Sequence, residues 1–401
     1  MVLKMIYDAK FFDQVFERRG HDATKWDYPL FVKDNKDIVP MWVADMDFRT
    51  PDCIVNAMAK RLEHHAFGYF KIPQAYFDGI AKWQKERYGV DGVTADQVDY
   101  QNGVLGGVSS FVEAYSLPGD WILLNDTCYT GFQSTIANRG RNIVYSPVKE
   151  TADGWALDIE DMEKKIIEKK PPIMIFCNPH NPVGRVWTED EVRKIVELCK
   201  KYSIWLFSDE IHGDVVLYGH QYTSAARFAD VYDHMLVYTA ISKTFNMAGL
   251  HSSCTIIPNP EYKKIQEDTL RQAWLMSPNC MANSAIEACY TYGDEWVDEQ
   301  NAYLTENAEF VTSYLKEHAP QIKPVKPEGT YLMWLDCSEL SMTSEEIVKI
   351  LASEYKMAVG GGAGYQGNGE YFLRFNIGCP RETLEKGMEI LAQFVADKKE
   401  V

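Results

Sequence analysis

The feature that most constrains the fold of this chain is an alternation of short apolar runs with longer amphipathic stretches along its middle part. Five runs have the length of a strand and are apolar at successive positions: 121–125 (WILLN), 173–177 (IMIFC), 204–207 (IWLF), 235–239 (MLVYT) and 254–258 (CTIIP). Such runs are predicted to be buried on both faces, which is typical of parallel strands in a sheet that helices cover.

The stretches between the apolar runs are predicted to be helices, and residues 188–202 give the clearest pattern. Thr188 and Glu191 have the spacing of a capping box, the signature of a helix start. The apolar residues that follow fall on one helical face: Val192, Ile195, Val196 and Cys199. Strands and helices in alternation predict an α/β domain with a mostly parallel, doubly wound sheet.

The chain is too long for one simple core, so more than one domain is expected in its 401 residues. We predict an N-terminal arm at 1–45 that joins a smaller domain, and a large domain at 46–285. Residues 286–401 are predicted to form the smaller domain, an α+β unit. Its expected parts are a helical region at 287–317, a strand within 330–336, a helix from Ser344, a Gly-rich turn at 360–364 and a strand at 371–377.

Charge and cysteine content exclude several classes of protein. The net charge of −17 disfavours a nucleic-acid surface, which needs clustered Lys and Arg. The apolar runs are too short to cross a bilayer, and the N-terminus does not resemble a signal peptide. The nine cysteines show neither a C-x-x-C pair nor metal-ligand spacing, so no metal is expected. They fit free thiols in the cytoplasm, and each also fits a small buried apolar residue.

Polar residues follow three of the predicted strands. The segments are NPHNPVG (178–184), SDEIH (208–212) and SKTFN (242–246). Because ligands bind beyond the carboxyl ends of parallel strands, Asn181, Asp209 and Lys243 are expected to meet at one rim of the sheet. This combination suits a cationic heterocycle that carries a reactive aldehyde.

These three segments together resemble the fold-type I enzymes of the class I/II aminotransferase superfamily, which use pyridoxal 5′-phosphate (PLP). Four further segments resemble the MalY/PatB group of cystathionine β-lyases within it: 40–48 (PMWVADMDF), 178–187 (NPHNPVGRVW), 329–336 (GTYLMWLD) and 374–381 (RFNIGCPR). The resemblance extends from Lys25 to Arg381. It implies the PLP-transferase fold type I, with a large PLP-binding domain and a smaller domain, and it implies PLP as the cofactor.

The resemblance implies a role for each residue at the rim. Lys243 would hold PLP as a Schiff base and then remove the substrate Cα proton. Asp209 would face the pyridine nitrogen, and Asn181 would contact the phenolate oxygen and the substrate. Each residue type also has an ordinary structural use: a solvated surface Lys, an Asp that caps a helix, or an Asn in a turn.

Three further residues are expected around the ring and the substrate. His212 would lie near the phenolate oxygen, or it serves as a structural histidine. Tyr129 would stack on the pyridine ring. Arg374 matches the family residue that binds the substrate α-carboxylate with two parallel hydrogen bonds, or it forms an ion pair on an edge strand. Asn178 is expected to be only part of a turn.

The phosphate is expected at the start of a helix that begins near residue 103. Glycines there let backbone N–H groups approach an anion, so Gly103, Val104 and Leu105 are predicted to bind it. Ser242 would add a hydroxyl group. Tyr69 matches the family tyrosine that reaches the phosphate from a neighbouring subunit, although an ordinary buried aromatic residue also fits the pattern. The resemblance therefore implies a homodimer with shared sites.

Two positions depart from the wider superfamily on the phosphate side. The superfamily often has Ser-x-Ser-Lys followed by Gly-x-Arg, and that Arg binds phosphate. Here Ala240 replaces the first Ser and His251 stands in place of the Arg. Backbone amides, Ser242 and Tyr69 are then expected to hold the phosphate.

Three functions follow as hypotheses. The first is α,β-elimination on cystathionine, cysteine or cysteine S-conjugates, which yields pyruvate, ammonia and a thiol. The second is transamination of an amino acid, for which the same residues suffice. The third, from another class, is a regulatory binding role, which the presence of Lys243, Asp209, Asn181 and Arg374 disfavours.

Overall fold

A computed structural model describes residues 7–27, 37–151, 154–367 and 369–399. The strands form two sheets. They are β1 (Val39–Met41), β2 (Val98–Gln101), β3 (Trp121–Asp126), β4 (Asn142–Thr151), β5 (Gly154–Leu157), β6 (Ile173–Cys177), β7 (Trp205–Asp209), β8 (Met235–Thr239), β9 (Ser253–Ile256), β10 (Lys323–Pro324), β11 (Leu332–Asp336), β12 (Met357–Gly361) and β13 (Phe372–Asn376).

Helices cover both sheets. They are α1 (Ala9–Phe12), α2 (Thr24–Asp27), α3 (Asp52–Leu62), α4 (Gln74–Tyr88), α5 (Gly103–Tyr115), α6 (Thr130–Asn138), α7 (Ile159–Lys169), α8 (Glu189–Tyr202), α9 (Ile241–Thr244), α10 (Pro260–Gln272), α11 (Cys280–Tyr292), α12 (Asp294–His318), α13 (Ser344–Glu354) and α14 (Arg381–Lys399). In the described part of the chain, no helix is both long enough and apolar enough to cross a membrane.

The larger sheet has the strand order β2-β9-β8-β7-β6-β3-β4-β5. Five adjacent inner strands, β8, β7, β6, β3 and β4, run parallel to one another. Their carboxyl ends therefore open on one rim of the sheet, as the sequence predicted for an α/β domain of mostly parallel strands.

Burial on both faces of the central strands explains their unbroken apolar sequence. In β6, Ile173 and Ile175 belong to an apolar cluster with α5 and α6, whereas Met174 and Phe176 belong to the main core on the opposite face. The predicted burial of both faces is confirmed for this strand, in which every residue is buried.

The helix predicted at 188–202 forms with its predicted cap. Thr188 is the N-cap of α8, and its side chain and that of Glu191 bond reciprocally to each other's backbone N–H groups. Such a cap contributes about 1 kcal/mol. The predicted apolar face is buried, so α8 packs as its sequence requires.

The smaller sheet has the order β1-β12-β13-β11-β10. Strand β1, from the N-terminal part of the chain, pairs in parallel with β12 near the C-terminus. The other pairings in this sheet are antiparallel. The N-terminal residues also pack on long-range partners, since Phe12 contacts Phe48, Trp296 and Tyr303. The domain boundaries at 45/46 and 285/286 remain a prediction, and residues 1–6 and 28–36 of the predicted arm lie outside the described residues.

Two expectations about individual segments are wrong. Strand β9, from the run 254–258, is antiparallel to both β8 and β2 and not parallel, because apolarity on both faces does not encode strand direction. The predicted Gly-rich turn at 360–364 begins inside a strand, since Gly360 and Gly361 end β12. A side chain at Gly360 would lie 3.1 Å from the carbonyl oxygen of Arg374, so the neighbouring strand requires a small residue there.

Candidate active site

Lys243 lies on the four-residue helix α9, which follows the carboxyl end of β8. Its Nζ donates a 2.6 Å hydrogen bond to the main-chain oxygen of Ala44. Burial lowers the pKa of Lys243 to about 8, the nearby charge of Arg374 acts in the same direction, and Asp45 and Asp209 oppose the shift. A solvated surface lysine does not have these properties. The lowered pKa means that more of this amine is neutral near neutral pH than of an ordinary lysine.

Asp209 is the last residue of β7 and is 4% exposed. Burial raises the pKa of its carboxyl to about 7, and the charge of Lys243 acts against that shift. The alternative interpretation of Asp209 as a helix cap is wrong, because a turn and not a helix follows β7. Its Oδ1 instead accepts the backbone N–H of Ile211 at 3.1 Å.

Asn181 and Asn178 lie in the loop after β6 and differ in their contacts. Asn178 is part of the loop structure, since its side chain donates to the oxygen of Thr223 and accepts from the N–H of Trp187. Asn181 is also buried, but its side chain lines the same cavity as Asp209 and Lys243. The structure therefore brings Asn181 and not Asn178 to the rim beside these two residues.

His212 and Tyr129 also line this cavity. His212 is 2% exposed, and its Nδ1 has no hydrogen-bond partner among the described residues. Burial lowers the pKa of His212 to about 3, and the charges of Lys243 and Arg374 add to the effect, so the ring is neutral. Tyr129 is half-buried at the start of α6. A side chain at Gly131 would lie 2.5 Å from its ring, so glycine is needed there.

The start of α5 faces Lys243 across the cavity. Gly103, Val104 and Leu105 line it, and Gly103 has φ +72°, a conformation that favours glycine. Ser242 lines the cavity on the lysine side. Backbone N–H groups at the first turn of a helix bind anions well, so this end of the cavity suits a phosphate.

His251 lines the same cavity as Ser242 and Ser252. It has φ +47°, an unusual backbone conformation for a histidine, at the end of a short 3₁₀ turn over Ala248–Leu250. The sequence comparison singled out this position only as a departure from the superfamily. The structure brings it into the lining of the cavity that also contains the start of α5.

Arg374 is buried in β13, in the interior of the smaller sheet. Its Nη2 donates to the main-chain oxygen of Trp42 at 3.0 Å, its Nη1 contacts Asn181 Oδ1 at 3.5 Å, and its Nε has no hydrogen-bond partner among the described residues. The alternative interpretation as an ion pair on an edge strand is wrong: the strand is not at the edge, and none of the described ion pairs includes Arg374. A buried guanidinium without a carboxylate partner suits a ligand that brings one.

Tyr69 does not line the cavity. Its side chain is fully exposed, at 110%, in a segment without helix or strand between α3 and α4. The alternative of an ordinary buried aromatic residue is therefore wrong. The predicted role across a subunit interface requires a second copy of the chain and stays a prediction.

Sequence reasoning missed the 42–47 segment as part of the site, although it used the motif that contains it. The main-chain oxygen of Ala44 accepts hydrogen bonds from Lys243 and from Tyr331, and that of Trp42 accepts one from Arg374. The oxygen of Val43 accepts from Asn376. Backbone acceptors carry no side-chain signal, so only the motif PMWVADMDF at 40–48 could have drawn attention to this segment.

The residues of the cavity fit PLP. A buried carboxyl, a buried amide and an unpartnered histidine nitrogen match the polar atoms of the pyridine ring, and the α5 start matches the phosphate. A lysine with a lowered pKa matches the aldehyde. Arg374, which has no carboxylate partner among the described residues, is available to bind the α-carboxylate of an amino acid.

Comparison with known proteins agrees with this fit. The model of the family "Aminotransferase class I and II" matches residues 36–391. The cystathionine β-lyase PatB of Bacillus subtilis is 36% identical over 378 residues, which cover 94% of this chain and 97% of PatB.

Two solved structures have the same fold. The PLP-bound C–S lyase of Staphylococcus hominis, in complex with the inhibitor L-cycloserine, has a TM-score of 0.89 at 30% identity and covers 96% of this chain and 98% of its own. Cystalysin of Treponema denticola, whose structure contains a PLP cofactor, has a TM-score of 0.92 at 29% identity and covers 98% of this chain and 100% of its own.

Proposed function

The chain belongs to the class I and II aminotransferase family, and we propose that it is a PLP-dependent carbon–sulfur β-lyase. Its substrates are cystathionine, cysteine or cysteine S-conjugates, and its products are pyruvate, ammonia and a thiol. The observation that carries this proposal is Lys243, a half-buried lysine with a lowered pKa that shares one cavity with Asp209 and Asn181. PatB and the C–S lyase of Staphylococcus hominis support the choice of reaction.

PLP supplies an electron sink that weakens the bonds to the substrate Cα atom. Asp209 would face the pyridine nitrogen and favour its protonated form, and Asn181 would donate to the phenolate oxygen. Tyr129 would lie against the ring. The first turn of α5 and Ser242 would hold the phosphate.

Arg374 and Lys243 act on the substrate. Arg374 would bind the α-carboxylate through its two Nη groups, and this contact fixes the orientation of the Cα–H bond. Lys243 takes the proton from Cα in its neutral form, which the lowered pKa makes available near neutral pH. With the Cα proton on Lys243, the sulfur at Cβ would leave as a thiolate, and water would hydrolyse the remaining product to pyruvate and ammonia.

A homodimer is part of the proposal. The exposed Tyr69 has neighbours of the same kind, since Phe67 and Phe70 are also exposed. Such aromatic side chains suit an interface with a second copy, in which Tyr69 would reach the partner's phosphate. We also propose a cytoplasmic location, which the nine free cysteines support.

The test of the proposed function is incubation of the purified protein with cystathionine. Pyruvate, ammonia and homocysteine are expected in equal amounts, and Lys243→Ala is expected to lower the rate by at least about 10²-fold. A protein that yields neither pyruvate nor a thiol from cystathionine or from other cysteine S-conjugates would contradict the proposal.

Transamination is the second candidate, because the matching family carries this activity in its description and the same side chains suffice. The two reactions differ in their nitrogen balance. A lyase releases ammonia and needs no second substrate, whereas an aminotransferase releases no ammonia and turns over only with an oxo-acid acceptor. Measurement of ammonia with and without added oxo acid separates them.

A further inference from the structure

Asp214 is a buried carboxylate close to the site that the proposed reaction does not use. It is 5% exposed and lies on the turn that follows β7. Three donors from α4 meet its Oδ1: Trp83 Nε1 at 2.9 Å, Tyr88 OH at 2.6 Å and Arg87 Nε at 3.3 Å. Its Oδ2 accepts the hydroxyl of Thr244 at 2.8 Å.

A buried carboxylate with this many donors is costly to move. Each donor contributes a charge-assisted hydrogen bond or an ion pair, and displacement of the carboxylate would leave them unpaired in the interior. The main chain is fixed as well, because Asn301 on α12 donates to the Asp214 oxygen at 2.8 Å. Asp214 is therefore a rigid point at which α4, α12 and the turn after β7 meet.

Thr244 connects this rigid point to Lys243. Thr244 is 1% exposed and directly follows Lys243 in α9, a helix of four residues that is too short to hold its own position. On the other side of Lys243 in the chain, Ala240 offers no side-chain cap to α9. The Thr244–Asp214 hydrogen bond thus links the helix of Lys243 directly to the point where α4, α12 and the turn after β7 meet.

A second link lies two residues further on. The side chain of Asn246 donates to the oxygens of Met46 and Phe48 and accepts the N–H of Met46. This link connects α9 to the 42–47 segment, which also supplies the Ala44 oxygen to Lys243. The amine of Lys243 is thus held by the Ala44 oxygen, and the next residue of its helix, Thr244, is held by Asp214.

We propose that Asp214 and Thr244 are positioning residues for Lys243, and that the Thr244 hydroxyl keeps the lysine in place for proton transfer. This inference rests on the proposed function of Lys243. The link acts through geometry, since a shift of the order of ~1 Å in a catalytic group can cost about 10²-fold in rate. The substrate-binding residue Arg374 lies on another sheet, so the effect is expected on kcat and hardly on KM.

The test uses two pairs of holoenzymes. The two proteins of each pair differ chiefly in whether residue 244 carries a hydroxyl group. Thr244→Val is compared with the wild type, and Thr244→Ala is compared with Thr244→Ser. For each protein, kcat and KM are measured with cystathionine, and the visible absorbance of the bound cofactor is titrated against pH without substrate. The proteins without the hydroxyl are expected to lose about ten- to a hundredfold in kcat and to shift in the pH midpoint. Thr244→Ser is expected to stay near the wild type.

Trp83→Phe is the control for a purely structural role. It removes one donor to Asp214 Oδ1 and leaves the Thr244 bond in place, so it is expected to lower Tm without a shift of the pH midpoint. The inference is overturned if the hydroxyl-free proteins match their partners in kcat and pH midpoint, or if Trp83→Phe shifts the midpoint as they do. If Thr244→Val does not fold, the comparison of Thr244→Ala with Thr244→Ser still tests the inference. A wild type without a visible cofactor band that borohydride removes would instead refute the proposed function.

Discussion

The Nζ of Lys243 donates a 2.6 Å hydrogen bond to the main-chain oxygen of Ala44, a residue that lies 199 positions earlier in the chain. Ala44 lies three residues after the end of β1 of the smaller sheet, whereas Lys243 follows β8 of the larger one. One hydrogen bond therefore joins the two sheets at the predicted catalytic amine. The 42–47 segment supplies its acceptor.

The position of the 42–47 segment depends on the N-terminal residues. Lys25 is fully buried and donates to Asp47 Oδ2 at 2.7 Å and to the oxygen of Asp45 at 2.9 Å. We expect Lys25→Met to lower the free energy of unfolding by about 3 kcal/mol, because Asp47 would keep a buried charge that has lost one partner. Chemical denaturation checks the loss.

The control for this prediction removes the charge left behind. Lys25→Met with Asp47→Asn is expected to recover part of the stability, since the two changes are coupled. If the double variant is as unstable as the sum of the single ones, the Lys25–Asp47 contact does not support the segment.

The pKa of Lys243 predicts how fast the apo protein takes up its cofactor at different pH values. Only the neutral amine attacks an aldehyde, and burial lowers the pKa of this lysine to about 8 from its ordinary value. The rate of PLP attachment is expected to rise with pH, to reach half its limit near pH 8, and to level off above it. Stopped-flow absorbance of the apo protein mixed with PLP measures this rate.

Arg374 provides the control for that titration. Its positive charge contributes to the lowered pKa of Lys243, so Arg374→Gln is expected to move the midpoint to higher pH. A midpoint near the ordinary lysine value in the wild type would show that the amine is not buried as described, and the account of its reactivity would be wrong.

Arg374 also predicts a loss of substrate binding. Its guanidinium is buried without a carboxylate partner among the described residues, so Arg374→Gln removes the group that would hold the α-carboxylate. A decrease of about 10²- to 10³-fold in kcat/KM for cystathionine is expected, because a buried charge pair is worth about 2–5 kcal/mol when one partner is truncated. Arg374→Lys is expected to recover little, since an ammonium lacks the planar pair of donors. Equal loss with an amine that lacks the carboxylate would contradict this role.

The sequence predicted which side chains meet at the site better than it predicted the direction of every strand, and the reason is physical. Asn181, Asp209 and Lys243 follow β6, β7 and β8, and adjacent parallel strands bring their carboxyl ends to one rim. The order of the strands in the sequence was thus enough to bring these side chains together. Strand β9 follows the same hydrophobic pattern in the opposite direction, because a strand buried on both faces has the same sequence in either orientation.

The contacts of the 42–47 segment could not be predicted in this way. Trp42, Val43 and Ala44 act through main-chain oxygens, which every residue possesses. Their use depends on the long-range pairing of β1 with β12, and no local pattern encodes that pairing. The sequence of Tyr69 also fitted an ordinary buried aromatic residue, but its side chain is fully exposed, and its predicted role needs a second chain.

His251 gives the last prediction, which concerns the phosphate. It lines the same cavity as Ser242 and the start of α5, at a position where the wider superfamily often has an arginine. If His251 contacts the phosphate, His251→Ala should raise the Kd of PLP for the apo protein by about tenfold, as expected for a hydrogen bond to a charged group worth about 1.5 kcal/mol. Pyridoxal lacks the phosphate, so its Kd should hardly change in the same variant. His251→Arg should bind PLP at least as tightly as the wild type. Fluorescence titration of the three apo proteins with both ligands measures all six constants. An equal weakening of PLP and pyridoxal binding by His251→Ala would assign the residue to the fold of the loop and not to the phosphate.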